Sequence, residues 1–289
     1  MGLGGDLMWT PVAYEIFKKT GKITCFVKKI KNRKKIIIDD PSKLFVWKHL
    51  PYILNGQNQT LTYEDVINDD KYHIIDKSIR PDLKNKKPNI QCHTIISRCA
   101  HFNYFKPNLH IYMEFSNEEK DKIKNIIRKL PKKFIVIEPH AKTSWCEHKQ
   151  YPITKWQKIV NTFYKKIPFV QMSLPGNKVL NNVIDIGKEI HNFREACLLL
   201  KYAHLFMSSE GGLMHGARVH KTKCLMVYCP MFDPIWTKYD NVIVEWVHSK
   251  EHKNCFQEGT CPKCCDLMNK HDENKIINKL DIFLRNNPI

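Results

Sequence analysis

Residues 205–217 read LFMSSEGGLMHGA. The apolar run at 205–207 is typical of a buried strand, and Gly211 and Gly212 then lead into a helical pattern. The backbone N–H groups of the first helical turn, together with the helix dipole, make such a junction an anion site. His215 could donate to a phosphate oxygen, and Glu210 could accept from ribose or sugar hydroxyls. An ordinary tight turn with an incidental histidine is the alternative interpretation.

Strands alternate with helices on both sides of this junction, from about residue 131 onwards. The apolar runs predict strands at 134–137, 169–172, 183–186, 224–228 and 242–246. Helices are predicted at 154–166, where Thr154 and Gln157 have the spacing of a capping box, and at 192–202 and 272–285. Such alternation favours a parallel sheet covered on both faces, whose ligands bind at the carboxyl ends of the strands.

The first half of the chain is less regular. A helix is predicted at 7–18, and the preceding Gly4-Gly5 turn places Asp6 at or near an exposed N-cap. A short strand is expected at 23–27, mixed α/β signals follow to about residue 107, and a charged helix is expected at 116–130. We therefore predict an N-terminal domain at 1–130 and a C-terminal domain at 131–289.

Composition limits the classes of protein that the chain can form. The 289 residues are 43% hydrophobic, which is enough for packed cores, and no uncharged apolar run of about 18 residues predicts a membrane span. The first residues lack the order of a signal peptide, so a cytoplasmic location is expected. The formal charge of +18 attracts anions such as nucleotides, phosphorylated glycans, lipid head groups or nucleic acids. A lysine-rich composition without a dedicated partner explains the charge equally well.

Cysteines are concentrated near the C-terminus. The spacing there is Cys255-x5-Cys261-x2-Cys264-Cys265, with histidines at 248, 252 and 271. A Cys-x2-Cys pair can chelate one metal ion, and four thiolates could complete a tetrahedral site. A disulfide or redox pair and free thiols are the alternatives. The 11 cysteines of the chain cannot all pair with one another, because their number is odd.

Three segments together resemble glycosyltransferase family 9, the ADP-heptose:lipopolysaccharide heptosyltransferases. Residues 5–11, GDLMWTP, are similar to the family's Gly-Asp loop that ends in proline. Residues 149–156, KQYPITKW, match its Lys-x-Trp-Pro-x-x-x-Trp segment, with Tyr151 in place of the first tryptophan. Residues 210–215, EGGLMH, match its Asp-Thr/Ser-Gly-x-x-His motif, with Glu210 and Gly211 as departures.

This resemblance implies a GT-B fold, in which two Rossmann-like domains face a cleft. The family has a strand before its Gly-Asp loop, and residues 1–4 leave no room for one. Either the given start is internal to a longer gene, or the N-terminal domain lacks its first strand. The resemblance also implies an inverting transfer without a catalytic metal, from an ADP-, UDP- or GDP-linked sugar to a glycan, lipid-linked or protein acceptor. Lys149 and His215 would stabilise the leaving phosphate, and Glu210, Gly211 and Gly212 would bind the donor. Asp6, on the acceptor side, would be the general base.

The cysteine segment is similar to that of related enzymes that glycosylate autotransporters and hold iron. Because the spacing differs from theirs, the resemblance assigns no ligands, and a structural zinc or iron at Cys255, Cys261, Cys264 and Cys265 is expected from the spacing of these residues alone. Two further hypotheses about function remain: an inactive relative that binds a nucleotide or glycan, and a basic nucleic-acid-binding protein with a cysteine knuckle. Because the sequence contains no recognised nucleic-acid motif, no nucleic-acid partner is expected. Peripheral association with the inner face of a membrane is a further prediction.

Overall fold

The structure, a computed structural model, describes residues 3–29, 35–37, 46–54, 63–76, 92–102, 108–141, 146–174, 176–257 and 259–288. The chain divides into two compact units. Unit 1 comprises Met1–Ser116 and Ile235–Thr237. Unit 2 comprises Asn117–Pro234 and Lys238–Ile289.

Unit 1 contains a small mixed sheet with helices. In chain order its elements are α1 (Leu3–Leu7), α2 (Thr10–Thr20), β1 (Ile23–Lys29), β2 (Lys35–Ile37), α3 (Tyr63–Ile67), β3 (Tyr72–Asp76) and α4 (Thr94–His101). Strand β1 is central, with β3 parallel on one side and β2 antiparallel on the other. In the ranges that the structure describes, the first element is α1.

The helix predicted at 7–18 is present as α2, but it starts at Thr10 instead of Leu7, and the Gly4-Gly5 turn predicted before it lies inside α1. Pro11 has no N–H, and its ring would clash with the carbonyl group four residues earlier, which is that of Leu7. The Thr10 hydroxyl donates to this Leu7 carbonyl at 2.9 Å in place of the missing N–H. A new helix therefore starts at Thr10, and it ends at Gly21, which has the left-handed φ of 71°.

Unit 2 contains the larger sheet. Its elements are α5 (Asn117–Ile127), β4 (Ile135–Glu138), α6 (Ile153–Phe163), β5 (Phe169–Gln171), β6 (Ile184–Asp185), α7 (Phe193–Leu199), β7 (Leu205–Ser209), α8 (Gly212–Val219), β8 (Cys224–Tyr228), β9 (Val242–Trp246), α9 (Pro262–Lys270) and α10 (Asn274–Asn286). The described strands form one parallel sheet in the order β6-β5-β4-β7-β8-β9. The predicted parallel α/β architecture is confirmed for this unit.

Both faces of the central strands of the large sheet are buried. On the face of the sheet that packs with α6 and α10, the core contains Ile135, Ile137, Leu205, Met207, Leu225 and Val227. Residues that point to the opposite face, such as Val136, Phe206 and Met226, are also fully buried. Because burial on both faces removes the polar alternation, these strands appear in the sequence as continuous apolar runs.

Helix α6 begins differently from the prediction. It starts at Ile153 with Pro152 at the N-cap position, and no side chain caps it. The expected capping box of Thr154 and Gln157 was therefore wrong. Proline is well suited to a helix start because its fixed φ is already helical and its missing N–H would have no partner there. Gln157 instead bonds to Asn181 in both directions.

Among the residues that the structure describes, no helix is both long enough and apolar enough to cross a membrane.

Candidate functional site

The order of the large sheet brings two loops together. From β4 the chain continues through β5 and β6 on one side of the sheet, and through β7, β8 and β9 on the other. The carboxyl ends of the neighbouring strands β4 and β7 therefore form a topological switch point, where α/β folds bind ligands. Glu138 ends β4 in register with Ser208, and Glu210 follows β7 directly.

At this edge Lys149 and Glu210 form an ion pair through Nζ and Oε2. The two side chains are only 13% and 12% exposed. Burial by itself lowers the pKa of Lys149, but the Glu210 carboxylate outweighs it, so the pKa is raised and the ammonium stays charged. The ammonium also lies 5.8 Å from the centre of the Phe232 ring. The structure thus brings together two residues that lie 61 positions apart and that the sequence assigned to one donor site.

The turn after Glu210 leads directly into α8, as predicted. Gly211 has an extended backbone, with φ at 178°, and a Cβ placed there would meet nothing closer than 3.8 Å. Gly212 is the first residue of α8. The backbone conformation at position 211 therefore does not require glycine. The lack of a side chain at Gly211 leaves open space above the start of α8.

His215 lies one turn into α8 and is 3% exposed. Its Nδ1 is 2.6 Å from the Tyr239 hydroxyl, and the two rings meet edge to face. Because Nδ1 is engaged in this way, a phosphate contact from His215 would have to come from Nε2. Gly216, the next residue, allows α7 to approach, since a Cβ there would lie 2.2 Å from the Cys197 sulfur.

Glu138 is a buried carboxyl group that the sequence analysis did not single out. Burial raises its pKa to about 7, although the His140 N–H and the Ser173 hydroxyl both donate to it and partly offset the effect. A carboxyl group with such a pKa beside a ligand edge is a feature of functional sites. The sequence signal was its position at the end of the strand, directly before Pro139.

Asp6 does not lie at an exposed N-cap, so that expectation was wrong. It is inside α1 in unit 1 and is fully buried. Its backbone carbonyl accepts from the indole N–H of Trp47 at 3.1 Å, and the carbonyl of Gly5 accepts from Arg98 at 3.0 Å. The Gly-Asp segment is therefore held firmly by its own unit.

A group of residues that could hold a metal ion contains three of the four predicted cysteines, with His252 in place of Cys265. The possible ligand atoms of His252, Cys255, Cys261 and Cys264 all lie within 4.8 Å of one another. Within the described ranges, Cys265 is not part of this group. Its neighbour Cys264 points into the group, and successive residues at a helix start point in different directions. The signal for His252 was its spacing, since His252-x2-Cys255 repeats that of Cys261-x2-Cys264.

The distances in this group suit a tetrahedral metal ion. The Cys255 and Cys264 sulfurs are 3.2 Å apart, and His252 Nε2 is 3.2 Å from the Cys264 sulfur and 3.5 Å from that of Cys261. Bonds of about 2.3 Å from four ligands to one ion give ligand separations of roughly 3.8 Å. The residues therefore need to move only slightly to hold zinc or iron. We call these four residues the Cys/His cluster.

No family model matches the sequence, and no curated protein sequence is significantly similar to it. Solved structures are similar in fold. The family 9 glycosyl transferase of Veillonella parvula has a TM-score of 0.65 at 12% identity, over 99% of this chain and 95% of that chain. The iron-containing dodecameric glycosyltransferase TibC of enterotoxigenic E. coli has the same TM-score and identity, over 99% and 74%.

The ADP-heptose lipopolysaccharide heptosyltransferase II of E. coli is similar over 68% of this chain and 63% of that chain, with a TM-score of 0.51 and 12% identity. The fold suggested by the three sequence motifs is thereby confirmed. The chain has the mixed α/β architecture with parallel sheets of the GT-B glycosyltransferases, and its structural neighbours are members of glycosyltransferase family 9.

Proposed function

We propose that the chain transfers a sugar from a nucleotide-diphosphate donor to a hydroxyl group of a glycan, lipid-linked or protein acceptor. The transfer inverts the anomeric carbon and needs no catalytic metal. A structure of TibC contains ADP-D-beta-D-heptose, with a TM-score of 0.63 to this chain, and this favours a nucleotide sugar as the donor. The identity of the sugar and of the base stays open, with ADP, UDP and GDP as candidates.

One observation carries this proposal: the buried pair of Lys149 and Glu210 at the switch point of the sheet, beside the start of α8. An ammonium group can donate to several acceptors at once, so Lys149 can contact Glu210 and a phosphate oxygen together. A buried cation and a helix start act on the same region, where negative charge develops as the nucleoside diphosphate leaves. Both are fixed before the reaction, which is the arrangement that stabilises a leaving group most effectively.

The other residues have supporting roles in this proposal. Glu210 accepts hydrogen bonds from a sugar hydroxyl, and Gly211 and Gly212 allow the diphosphate to approach the backbone. His215 contributes through Nε2. Asp6 takes the proton of the acceptor hydroxyl, and since it is fully buried, it must become accessible to the acceptor during the reaction.

The Cys/His cluster has a structural role in this proposal. His252, Cys255, Cys261 and Cys264 would hold one zinc or iron ion, which closes the segment before α9 as a structural metal does in small domains. TibC is an iron-containing protein, which supports the presence of a metal.

The complete burial of Asp6 also favours a second candidate, a relative that binds a nucleotide sugar without transferring it. This candidate shares the donor site and differs in turnover. An assay of transfer to an acceptor separates the two, because only the enzyme consumes the donor faster than it hydrolyses in water.

The donor site is tested by thermal unfolding with ADP-, UDP- and GDP-linked sugars. We expect at least one of them to raise the melting temperature, because a ligand that binds only the folded state stabilises it. The Lys149→Ala variant should lose most of this increase. Lys166→Ala is the matched control, because Lys166 is half exposed and forms only a surface pair with Asp281. Stabilisation by DNA in a strongly salt-dependent way, with no effect of any nucleotide sugar, would instead support the nucleic-acid hypothesis.

A further inference from the structure

The segment that carries Lys149 is bonded to the segment that carries the Cys/His cluster. We call residues 146–151 the lysine segment. It contains one short 3-10 turn, Glu147–Lys149, in which the Lys149 N–H reaches the Cys146 carbonyl only at 3.4 Å. A single turn is unfavourable by itself, because several dihedral angles are fixed for one hydrogen bond. Contacts from outside must therefore hold Lys149 in place.

The first outside contact is made at the N-terminal end of α9. The backbone N–H of Cys261, a member of the cluster, donates to Nδ1 of His148 at 3.3 Å. His148 is fully buried, and its Nε2 lies 3.0 Å from the Cys146 sulfur. Because a backbone N–H can only donate, Nδ1 is the acceptor, and the ring hydrogen is on Nε2 and points at this sulfur. His148 thus links a cluster residue to the start of the lysine segment.

Two neighbouring contacts reinforce this link. Cys146 and Gly259 form a parallel backbone bridge, so the lysine segment pairs with the stretch that precedes Cys261. The Thr260 hydroxyl donates to the Glu147 carboxylate at 2.6 Å. Gly259 and Thr260, which directly precede Cys261, therefore lie along the lysine segment.

The second outside contact is made just past the C-terminal end of α9. The Tyr151 hydroxyl is 2.9 Å from Nδ1 of His271, and Nε2 of His271 is 2.9 Å from Glu245 on β9. Both Tyr151 and His271 are buried. Helix α9 is thus bonded to the lysine segment on both sides of Lys149, through His148 before it and Tyr151 after it.

We propose that the metal-loaded Cys/His cluster positions Lys149 for the donor diphosphate, through His148 and helix α9. This inference rests on the proposed function, because the diphosphate is the proposed ligand of Lys149. His148 is a positioning residue and not a metal ligand. Metal in the cluster fixes Cys261, Cys261 fixes His148, and His148 fixes the turn that aims Lys149. Loss of the metal or of His148 therefore weakens donor binding without removing any group that contacts the donor.

The test uses the full chain with His148→Leu and His148→Asn. Leucine and asparagine have nearly the same shape, but the asparagine oxygen can accept the Cys261 N–H as Nδ1 does, whereas leucine cannot. Three quantities are measured: metal per chain, deuterium exchange of the amides at 146–151, and the Kd values of ADP, UDP and GDP by calorimetry. Removal of the metal from the unmodified chain with a chelator is a second way to release the lysine segment from the Cys/His cluster.

We expect His148→Leu to keep its metal, to exchange the 146–151 amides faster, and to bind the preferred nucleotide roughly tenfold more weakly, as is usual when a residue behind a contact group is lost. His148→Asn should recover most of the affinity. In a Lys149→Ala background His148→Leu should have almost no further effect on the Kd, because both changes act through the same ammonium group.

Unchanged exchange and unchanged affinity in metal-retaining His148→Leu would overturn the inference, and so would effects of His148→Leu and Lys149→Ala that simply add. If the unmodified chain binds none of the three nucleotides, the proposed function fails. The positioning of the lysine segment is then judged by the exchange of 146–151 with and without chelator. Faster exchange there supports the link, and unchanged exchange overturns it.

Discussion

The carboxylates of Glu210 and Asp6 occupy very different surroundings in the two units of the chain. Glu210 lies at the edge of the large sheet in unit 2, is 12% exposed, and is paired with Lys149. Asp6 lies inside a five-residue helix in unit 1 and is fully buried. Asp6 directly follows a glycine pair and Glu210 directly precedes one, and both residues match motifs of the same family. A matching motif therefore proposes a role for a residue, but the accessibility of that residue depends on the packing around it.

The difference also separates two steps of the proposed reaction. Of the groups assigned to donor binding, Lys149 and Glu210 lie beside the carboxyl ends of β4 and β7 and are partly exposed in the described conformation. The group assigned to proton transfer needs a change of conformation first.

The largest effect is expected for Asp6→Asn. A general base contributes about 10²- to 10⁴-fold to the rate of a transfer reaction, so kcat should fall by that range while the Kd of the donor stays unchanged. Initial rates of nucleoside diphosphate release, with and without acceptor, measure kcat, and calorimetry measures the Kd.

Asp6→Ala and the melting temperature of each variant serve as controls for folding. A variant that melts like the unmodified chain and retains its kcat would contradict the role of Asp6 as the general base. Asp6 would then be a structural residue of unit 1, and another group would take the acceptor proton.

Removal of one ligand from the Cys/His cluster should have the next largest effect. Cys264→Ser should lose the metal and lower the free energy of unfolding by about 4 kcal/mol, the stabilisation from a ligand held at about 1,000 times its Kd. Metal analysis and urea unfolding measure the two quantities. Cys265→Ser is the matched control one residue away, because the Cys265 sulfur lies outside the group. Equal losses in both variants would contradict the assignment of His252 as the fourth ligand.

Glu138 gives the site a distinctive dependence on pH. Its pKa is raised by burial to about 7 from the ordinary 4.5. The folded chain therefore holds this proton more tightly than the unfolded chain does, and stability that is present below pH 4.5 is lost as the pH rises through 7. Glu138→Gln removes this loss, so we expect it to raise the free energy of unfolding at pH 8 by about 3 kcal/mol and to change it little at pH 4.

Glu245 is the matched control with the opposite sign. Burial raises its pKa, but hydrogen bonds from His271 and Lys279 outweigh this and hold it at about 2. Its contribution to stability is present above pH 4.5 and is lost as the pH falls through 2. Glu245→Gln should therefore destabilise the chain at pH 8. Urea midpoints measured between pH 4 and 8 distinguish the two cases, and a destabilised Glu138→Gln at pH 8 would contradict the pKa assigned to Glu138.

The smallest effects are expected at the glycines near α8. The backbone angle at residue 211 is ordinary and the space around it is open, so Gly211→Ala should hardly change the melting temperature. The donor affinity should fall several-fold, because the added methyl group stands where the diphosphate approaches. Gly216→Ala is the contrast, because its methyl group would overlap the Cys197 sulfur and should cost about 1–3 kcal/mol of stability. Unchanged affinity in Gly211→Ala would place the diphosphate elsewhere.

The strands of the large sheet could be predicted from the sequence because burial on both faces leaves continuous apolar runs. The strands at 224–228 and 242–246 have the bounds that were predicted. The break between α1 and α2 was missed, although Pro11 supplies the physical reason for it. The start of α6 was assigned to a capping box, whereas Pro152 begins the helix without any side-chain cap.

For the site, the sequence could propose candidate residues but could not show which of them are accessible. The pairing of Lys149 with Glu210 follows from strand order, since loops after neighbouring parallel strands meet at one edge. The burial of Asp6 depends on Trp47 and Arg98, which lie far from it in the sequence. The replacement of Cys265 by His252 in the cluster depends on the direction of side chains at the start of α9, which spacing alone does not give.

The most direct test is a crystal structure of the chain with whichever of ADP, UDP or GDP raises its melting temperature most. We expect the diphosphate to lie over the start of α8 at Gly212, with a phosphate oxygen within hydrogen-bond distance of Lys149 Nζ and the Glu210 carboxylate still beside it. A diphosphate bound away from this edge, or a bound nucleotide whose affinity is unchanged in Lys149→Ala, would contradict the proposed donor site.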